Sequence, residues 1–301
     1  MPPSNQTPVL LDTDIGSDID DALALTYLLA HPQCELVGIT TVTGDVAKRA
    51  ALAEWICSVA GRNDVPIFPG LASPLLLGPG QPFVPQYDAI EDTTLIDRYR
   101  DVGAYRAISF LSETIRSRPG EITLLAIGPM TNIATLFTYD PELIGMLKQV
   151  VFMCGAFGLA EATPGLEWNS ICDPVASAIA FRQAKNLLSV GLDVTMKCQA
   201  TTDECRQKFG THQGPTEVIL KMAEVWFRDN ELVTFHDPLA AANIFLPDLC
   251  MTDIGTVEVT TNLGPELGKT SWRSHGGGDH SICTSVDPVR FFNEYFSVVA
   301  C

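Results

Sequence analysis

The chain has 301 residues, 46% of them hydrophobic, and carries 36 acidic against 19 basic side chains for a net charge of −17. That balance argues against nucleic acid or an anionic membrane as a partner, since both demand basic patches. No apolar run approaches the ~18–20 residues that span a bilayer. A neutral small molecule or a cation remains compatible. The length suits two average domains or one large α/β domain. The opening "MPPSNQTP" is polar with no apolar core, so residues 1–8 read as a flexible tail rather than a signal peptide. Nine cysteines lie singly, with no C-x-x-C pair and mostly in apolar surroundings; they read as reduced core thiols of a cytoplasmic protein.

From Val9 the chain alternates short apolar strands with longer helical patterns. "PVLLD" precedes a helix near 19–31, then come "LVGITTV", a helix over about 46–60, and "VPIFPG". A Pro/Gly-rich stretch to about Gly103 reads as a lid, a rim or a surface loop. A helix near 104–117 follows, then strand "ITLLAIG", helix "MTNIATLF", strand "QVVFMCG", helix "PVASAIAFRQA" and strand "LLSVGLDV". This is the rhythm of a mostly parallel, doubly wound, Rossmann-like sheet with helices on both faces. The C-terminal part is more mixed: helices near 215–229 and 238–245, strands "GTVEVT", "KTSWR" and "ICTSV", and a last helix near 288–298. Residues 9–301 are expected to form one large α/β domain.

Ligands of such sheets gather at the carboxyl ends of the strands, and oxygen-bearing side chains recur there. Asp12 and Asp14 follow the first strand, Asp45 the second, "PMTN" and "GLEWN" later ones, and "FHDP" opens a late helix. The first of these is the densest: "DTDIGSDIDD" places five aspartates in ten positions between an apolar strand and an apolar helix. Asp14, Asp20 and Asp21 could serve only as helix caps. Adjacent helical residues point in different directions, however, and carboxylates crowded at an inner junction repel unless a cation or proton relieves them. With no histidine or cysteine in the motif, Ca²⁺ or Mg²⁺ fits before zinc. His236 and Asp237 before Pro238, and Trp168 between Glu167 and Asn169, are weaker signals when taken singly.

Together "DTD…DIDDALAL", "ITTVTGD", "AIGPMTNIA", "VVFMCGA", "LEWNSICDPVASAIAF" and "HDPLAAA" resemble the nucleoside hydrolase family of the inosine-uridine-preferring type, over nearly the whole chain. The resemblance implies calcium-dependent hydrolysis of the N-glycosidic bond of ribonucleosides, by a homodimer or homotetramer. It implies that Asp14, Asp21, Asp237 and the Ile127 carbonyl bind Ca²⁺, with Asp14 also the base that activates a metal-bound water. Asp20 and Asn169 would hold the ribose 2′- and 3′-hydroxyls and Glu167 the 5′-hydroxyl, with Met153 against the sugar and Trp168 beside it. His236 would be the acid for the departing base, with Glu224, Tyr87 or water as substitutes.

The chain also departs from the family pattern. Its aspartate loop is two residues longer, through "SDI", which brings in Asp18. Asp45 replaces a usual asparagine and would add a charge beside the ribose; Glu161 stands where a sugar-binding asparagine is common. A histidine common after the third strand has no counterpart in "QYDAIEDTTLID". Two rival readings remain: a haloacid-dehalogenase-like Mg²⁺ phosphatase, which needs a later lysine, and a calcium-stabilised ribonucleoside-binding protein without turnover.

Overall fold

The computed structural model describes residues 6–159, 165–210 and 214–300; Glu161 lies outside them. The elements follow in chain order: β1 (Thr7–Thr13), α1 (Asp20–Ala30), β2 (Cys34–Thr41), α2 (Val46–Val59), β3 (Ile67–Pro69), α3 (Tyr105–Ser117), β4 (Thr123–Ala126) and α4 (Thr131–Tyr139). Then come β5 (Gln149–Phe152), α5 (Trp168–Cys172), α6 (Pro174–Gln183), β6 (Leu187–Ser189), α7 (Leu192–Thr195), β7 (Gln199–Thr201), α8 (Thr202–Phe209) and α9 (Pro215–Trp226). The chain finishes with β8 (Leu232–Thr234), α10 (His236–Phe245), β9 (Cys250–Val259), β10 (Thr270–Ser274), β11 (His280–Val286) and α11 (Pro288–Val299).

The main sheet has nine strands in the order β10-β9-β11-β6-β5-β4-β1-β2-β3. From β3 to β11 the neighbours run parallel, and β9 and β10 close the other edge antiparallel. Strand alternation divides the core between the two faces. Val9, Leu11, Leu125 and Val151 pack under α1, α2 and α10; Leu10, Leu124, Val150 and Phe152 pack under α4 and α6. Both faces are covered, so these strands are apolar throughout instead of alternating with polar residues.

Strand order also fixes where a ligand can bind. The sequence runs outward from β1 through β2 to β3 on one side and from β4 through β5 to β6 on the other. The winding therefore reverses between β1 and β4, and their carboxyl ends open the crevice where such sheets take ligands. Asp12, one residue before the end of β1, pairs in register with Thr40 of β2 and Ala126 of β4. Its Oδ1 accepts from Thr40 Oγ1 at 2.5 Å and Asn132 Nδ2 at 2.7 Å, bracing the crevice from below.

Three expectations change. The first strand begins at Thr7, which pairs with Cys34, so the sheet reaches into the expected tail. "LLSVGLDV" is strand only to Ser189 and helical from Leu192; an apolar run that short fits either conformation. The long stretch after β3 is no loose loop: it carries short 3₁₀ turns at Pro85–Ala89 and Leu95–Arg98 and a main-chain bond from Gln86 N to Gly16 O. No helix among the described residues is long and apolar enough to cross a membrane.

An aromatic nest anchors the start of α10. The fully buried Phe235 ring meets Phe292 at 5.1 Å, Tyr295 at 5.2 Å and Phe291 at 6.0 Å, all on α11. Phe235→Ala should cost about 3–5 kcal/mol of stability, measured by urea unfolding; a loss below about 1 kcal/mol would show that α11 does not anchor α10.

Candidate functional site

Asp14 leaves β1, and Asp20 and Asp21 open α1, where the free N–H groups of a first turn favour carboxylates. Asp237 occupies the same position on α10. The two helix starts converge on the crevice: Asp237 N donates to Asp20 Oδ2 at 3.3 Å across 217 residues of sequence. Thr13 Oγ1 donates to Asp21 Oδ1 at 2.5 Å, and Asp14 N donates to the same oxygen at 3.2 Å. Gly128, just past β4, permits the close approach, since a Cβ there would stand 2.9 Å from both Asp14 N and Asp14 Oδ1.

Carboxylate oxygens of Asp20, Asp21 and Asp237 lie within 4.8 Å of one another, all buried. Burial first, and neighbouring carboxylates after it, push all three well above the usual carboxylate range. Burial likewise raises Asp18, to about 7. Among the described residues no lysine or arginine lines the pocket. An all-oxygen, strongly anionic and desolvated cluster is the donor set of a hard divalent cation, which would remove the repulsion that protons otherwise relieve. The residues present fit such an ion.

These carboxylates form the floor of a cavity of about 450 Å³. Asp14, Asp20, Asp21, Ile127, Met153, Glu167, Trp168, Asn169, His236 and Asp237, each singled out in the sequence, all line it. Asn169 donates through Nδ2 to Ile127 O at 2.7 Å and Met153 O at 3.0 Å. With its nitrogen spent on carbonyls, the side-chain oxygen is the end left for a ligand. Glu167 caps α5, accepting from Gly155 N, Asn169 N and Ser170 N at 3.0, 2.6 and 2.9 Å. His236 Nδ1 lies 2.7 Å from Thr195 Oγ1, and desolvation lowers its pKa to about 4. A Thr195 hydroxyl donating to Nδ1 leaves the imidazole proton on Nε2.

Asp45 departs from its expected place. It is absent from the pocket wall; its Oδ1 caps α2 by accepting from Lys48 N at 3.1 Å, and the carboxylate pairs with Lys48 Nζ at 3.6 Å. Glu224 and Tyr87 are also absent from the wall, and Glu224 is held by Arg206 at 2.7 Å. Ser17, Asp18, Leu166 and Ile171 line it as well, and so do Gln81, Leu192, Met196 and Trp226, which carry no sequence signal because only the folded chain brings them here. Trp168 stands there 48% exposed.

Comparison with known proteins gives the family of the chain. Residues 9–293 match the family described as inosine-uridine preferring nucleoside hydrolase. Uridine nucleosidase 1 of Arabidopsis thaliana is 31% identical over 265 residues, 84% of this chain and 78% of that one. Pyrimidine-specific ribonucleoside hydrolase RihA of Citrobacter koseri is 29% identical over 81% of each chain. The solved purine-preferring ribonucleoside hydrolase of Gardnerella vaginalis superposes with a TM-score of 0.81 at 25% identity, over 97% of this chain and 98% of that one. The chain belongs to the inosine-uridine preferring nucleoside hydrolase family. It is a ribonucleoside N-glycosyl hydrolase, of a metal-dependent class.

The raised carboxylates set a sign for stability. A carboxyl that binds its proton more tightly folded than unfolded contributes stability at low pH and loses it as the pH rises through its folded pKa. Cation-free protein should therefore melt lower at about pH 8 than at about pH 6. A divalent cation at about 100 times its Kd should restore about 2.7 kcal/mol, and a fixed concentration of it should restore more at the higher pH, where protons compete less. Melting curves with chelator and with added cation check this; a chelated protein that gains stability over that rise and ignores the cation contradicts it.

Proposed function

We propose that the chain hydrolyses the N-glycosidic bond of ribonucleosides with Ca²⁺ as its cation. The buried trio of Asp20, Asp21 and Asp237 beside the Asn169 amide carries the reading: it fits a cation, with a hydrogen-bonding edge, on the floor of a cavity whose rim is apolar. Asp14, Asp21, Asp237 and the Ile127 carbonyl would hold the ion. Bound there, calcium supplies positive charge that anchors a vicinal diol and acidifies water.

The protein's own groups do the rest. Asp20 and the Asn169 side-chain oxygen accept hydrogen bonds from the 2′- and 3′-hydroxyls, and Glu167 turns its remaining acceptor capacity to the 5′-hydroxyl. Met153 packs against the sugar. Asp14 takes the proton of the attacking water. As the bond to the base lengthens, positive charge grows on the sugar ring, and the surrounding carboxylates stabilise it. His236, neutral near physiological pH because burial lowers its pKa to about 4, would act as the acid only in its protonated form. Nδ1 then donates to Thr195 Oγ1 and Nε2 passes its proton to the departing base to leave neutral imidazole, a transfer that a positioned acid accelerates by about 10²–10⁴-fold. The phosphatase reading is not favoured, since among the described residues no lysine lines the pocket.

Base choice falls to the rim, where Trp168, Met196 and Trp226 form the apolar wall. Relatives named for pyrimidine and for purine nucleosides are similar to this chain over most of its length. The scaffold is therefore compatible with either base, and the rim is the place to vary it.

Ribonucleosides should exceed their 2′-deoxy counterparts by at least about 10²-fold in kcat/KM, because a buried polar partner left unpaired is costly. Asp20→Asn should erode that ratio while keeping the calcium-dependent rise in melting temperature. Loss of the calcium effect instead would make Asp20 a ligand of the ion. His236→Ala should slow uridine and inosine by about 10²–10⁴-fold while largely sparing a nitrophenyl riboside, whose leaving group departs without a proton. Equal losses on both classes would mean that His236 shapes the pocket and is not the acid.

A further inference from the structure

Arg49 belongs to the first turn of α2 and is fully buried, in a molecule whose other charged core residues are acids and histidines. Its guanidinium lies behind the pocket wall. Nε donates to Thr43 O at 2.8 Å. Nη1 donates to the main-chain oxygens of Asp14 and of Ile15, the latter at 3.0 Å, and to Ser17 Oγ at 2.9 Å. Nη2 donates to Gln81 O at 2.8 Å and Phe83 O at 3.4 Å. One side chain thus joins three segments: the turn after β2, the aspartate loop, and the rim stretch 81–83.

A buried guanidinium is costly unless its donors are paired and its charge is balanced. Here the partners are chiefly main-chain carbonyls, so the fork dictates where the backbone runs, and the charge faces Asp14 and Asp21. The grip falls on the loop between β1 and α1, which carries Asp14 and Asp18 into the pocket wall. Ser17, within that loop, accepts from Arg49 and donates to Phe83 O at 3.2 Å, closing the loop onto the rim. Gly16 lies in the left-handed region at φ 109°, and a Cβ there would meet Leu52 and Val84 at 2.6 Å. The loop is therefore packed tightly from behind and has one available path.

We propose that Arg49 is a positioning residue for the hydrolysis. By clamping the main chain of Asp14 to Ser17 against the 81–83 rim, it aims Asp14 into the cavity and sets the distance between the carboxylate floor and the base-side wall. This rests on the nucleoside hydrolase reading and adds to it a residue that touches neither substrate nor ion. Lysine in its place would keep a charge but could not span three segments with a single nitrogen.

The experiment compares the full-length wild type with Arg49→Lys and Ser17→Ala. Calorimetric titration with Ca²⁺ counts the molecules able to bind the ion, and steady-state rates on uridine and a nitrophenyl riboside are expressed per such molecule. Arg49→Lys should bind calcium at one ion per competent chain, yet lose about 10²-fold in kcat on both substrates, the size of effect that a displacement of about 1 Å at a reacting group produces. The equal loss distinguishes displacement of Asp14 from loss of a leaving-group acid. Ser17→Ala removes the acceptor for Arg49 and the exposed donor to Phe83 O and should show the same pattern at about 3–10-fold, as for the loss of modest hydrogen bonds; it decides the matter if Arg49→Lys does not fold. A kcat per competent molecule within about twofold of wild type, in Arg49→Lys or, failing its folding, in Ser17→Ala, would overturn the inference alone and leave Arg49 as a stabilising residue. Wild-type protein that binds calcium but frees no ribose would overturn the underlying reading and the inference with it.

Discussion

Mutual repulsion among buried carboxylates is the constraint around which this molecule is arranged. Asp20, Asp21 and Asp237 are taken out of water within 4.8 Å of one another, with Asp14 and Asp18 on the same wall. Left alone, such a group favours protons or an open pocket. The fold opposes that in several ways. Helix starts point at the acids from α1 and α10, the Thr13 hydroxyl and the Asp14 and Asp237 amides donate to them, and Arg49 stands behind the loop with a balancing charge. These contributions hold the oxygens in place without neutralising them, leaving a buried anionic cluster that fits a divalent cation. The strand order accounts for the location: the crevice between β1 and β4 is the one place where loops from both halves of a doubly wound sheet face each other.

Much of this was legible in the sequence because the relevant signals are local. Strands such as "VLL" and "LLA" are buried on both faces and read as short apolar runs; the helices between them read by length and by their bounding turns. The aspartates were conspicuous because five acids at an apolar junction need a reason. What escaped notice depends on distance or on local ambiguity. Asp45 sits at a strand exit, where a ligand group belongs, yet its side chain turns back to cap its own helix. Arg49, in an alanine-rich helix, looks like an ordinary solvated charge until the loops that cover it are in place. Trp226 and Met196 lie within amphipathic or mixed segments that reveal nothing of where they end up. The short helices α5, α7 and α8 span five, four and eight residues, too few for periodicity to distinguish them.

The pocket divides into parts with different physical tolerances. Its floor is rigid: Gly128 leaves no room beside Asp14, and Asn169 spends its nitrogen on two carbonyls. Its rim is assembled from the stretch 81–83, the start of α5, the end of α7 and the end of α9, side chains that answer to solvent as much as to one another. A substitution on the floor must satisfy several partners simultaneously, whereas one on the rim changes shape and polarity with little structural cost. That asymmetry suits an enzyme whose relatives carry purine and pyrimidine names on one scaffold.

The contact between Asp20 and Asp237 joins residues 217 positions apart. On a ribosome, the first carboxylates emerge long before the last one is made, and the N-terminal strands can pair while α10 is still untranslated. A cation held by this cluster would have no complete site during that interval. Its uptake would then be a late event in biogenesis, open only to chains that have been synthesised through α10 and have docked it on α1. A truncated or misassembled chain would lack the site, so an ion held there would mark the molecules that have finished folding.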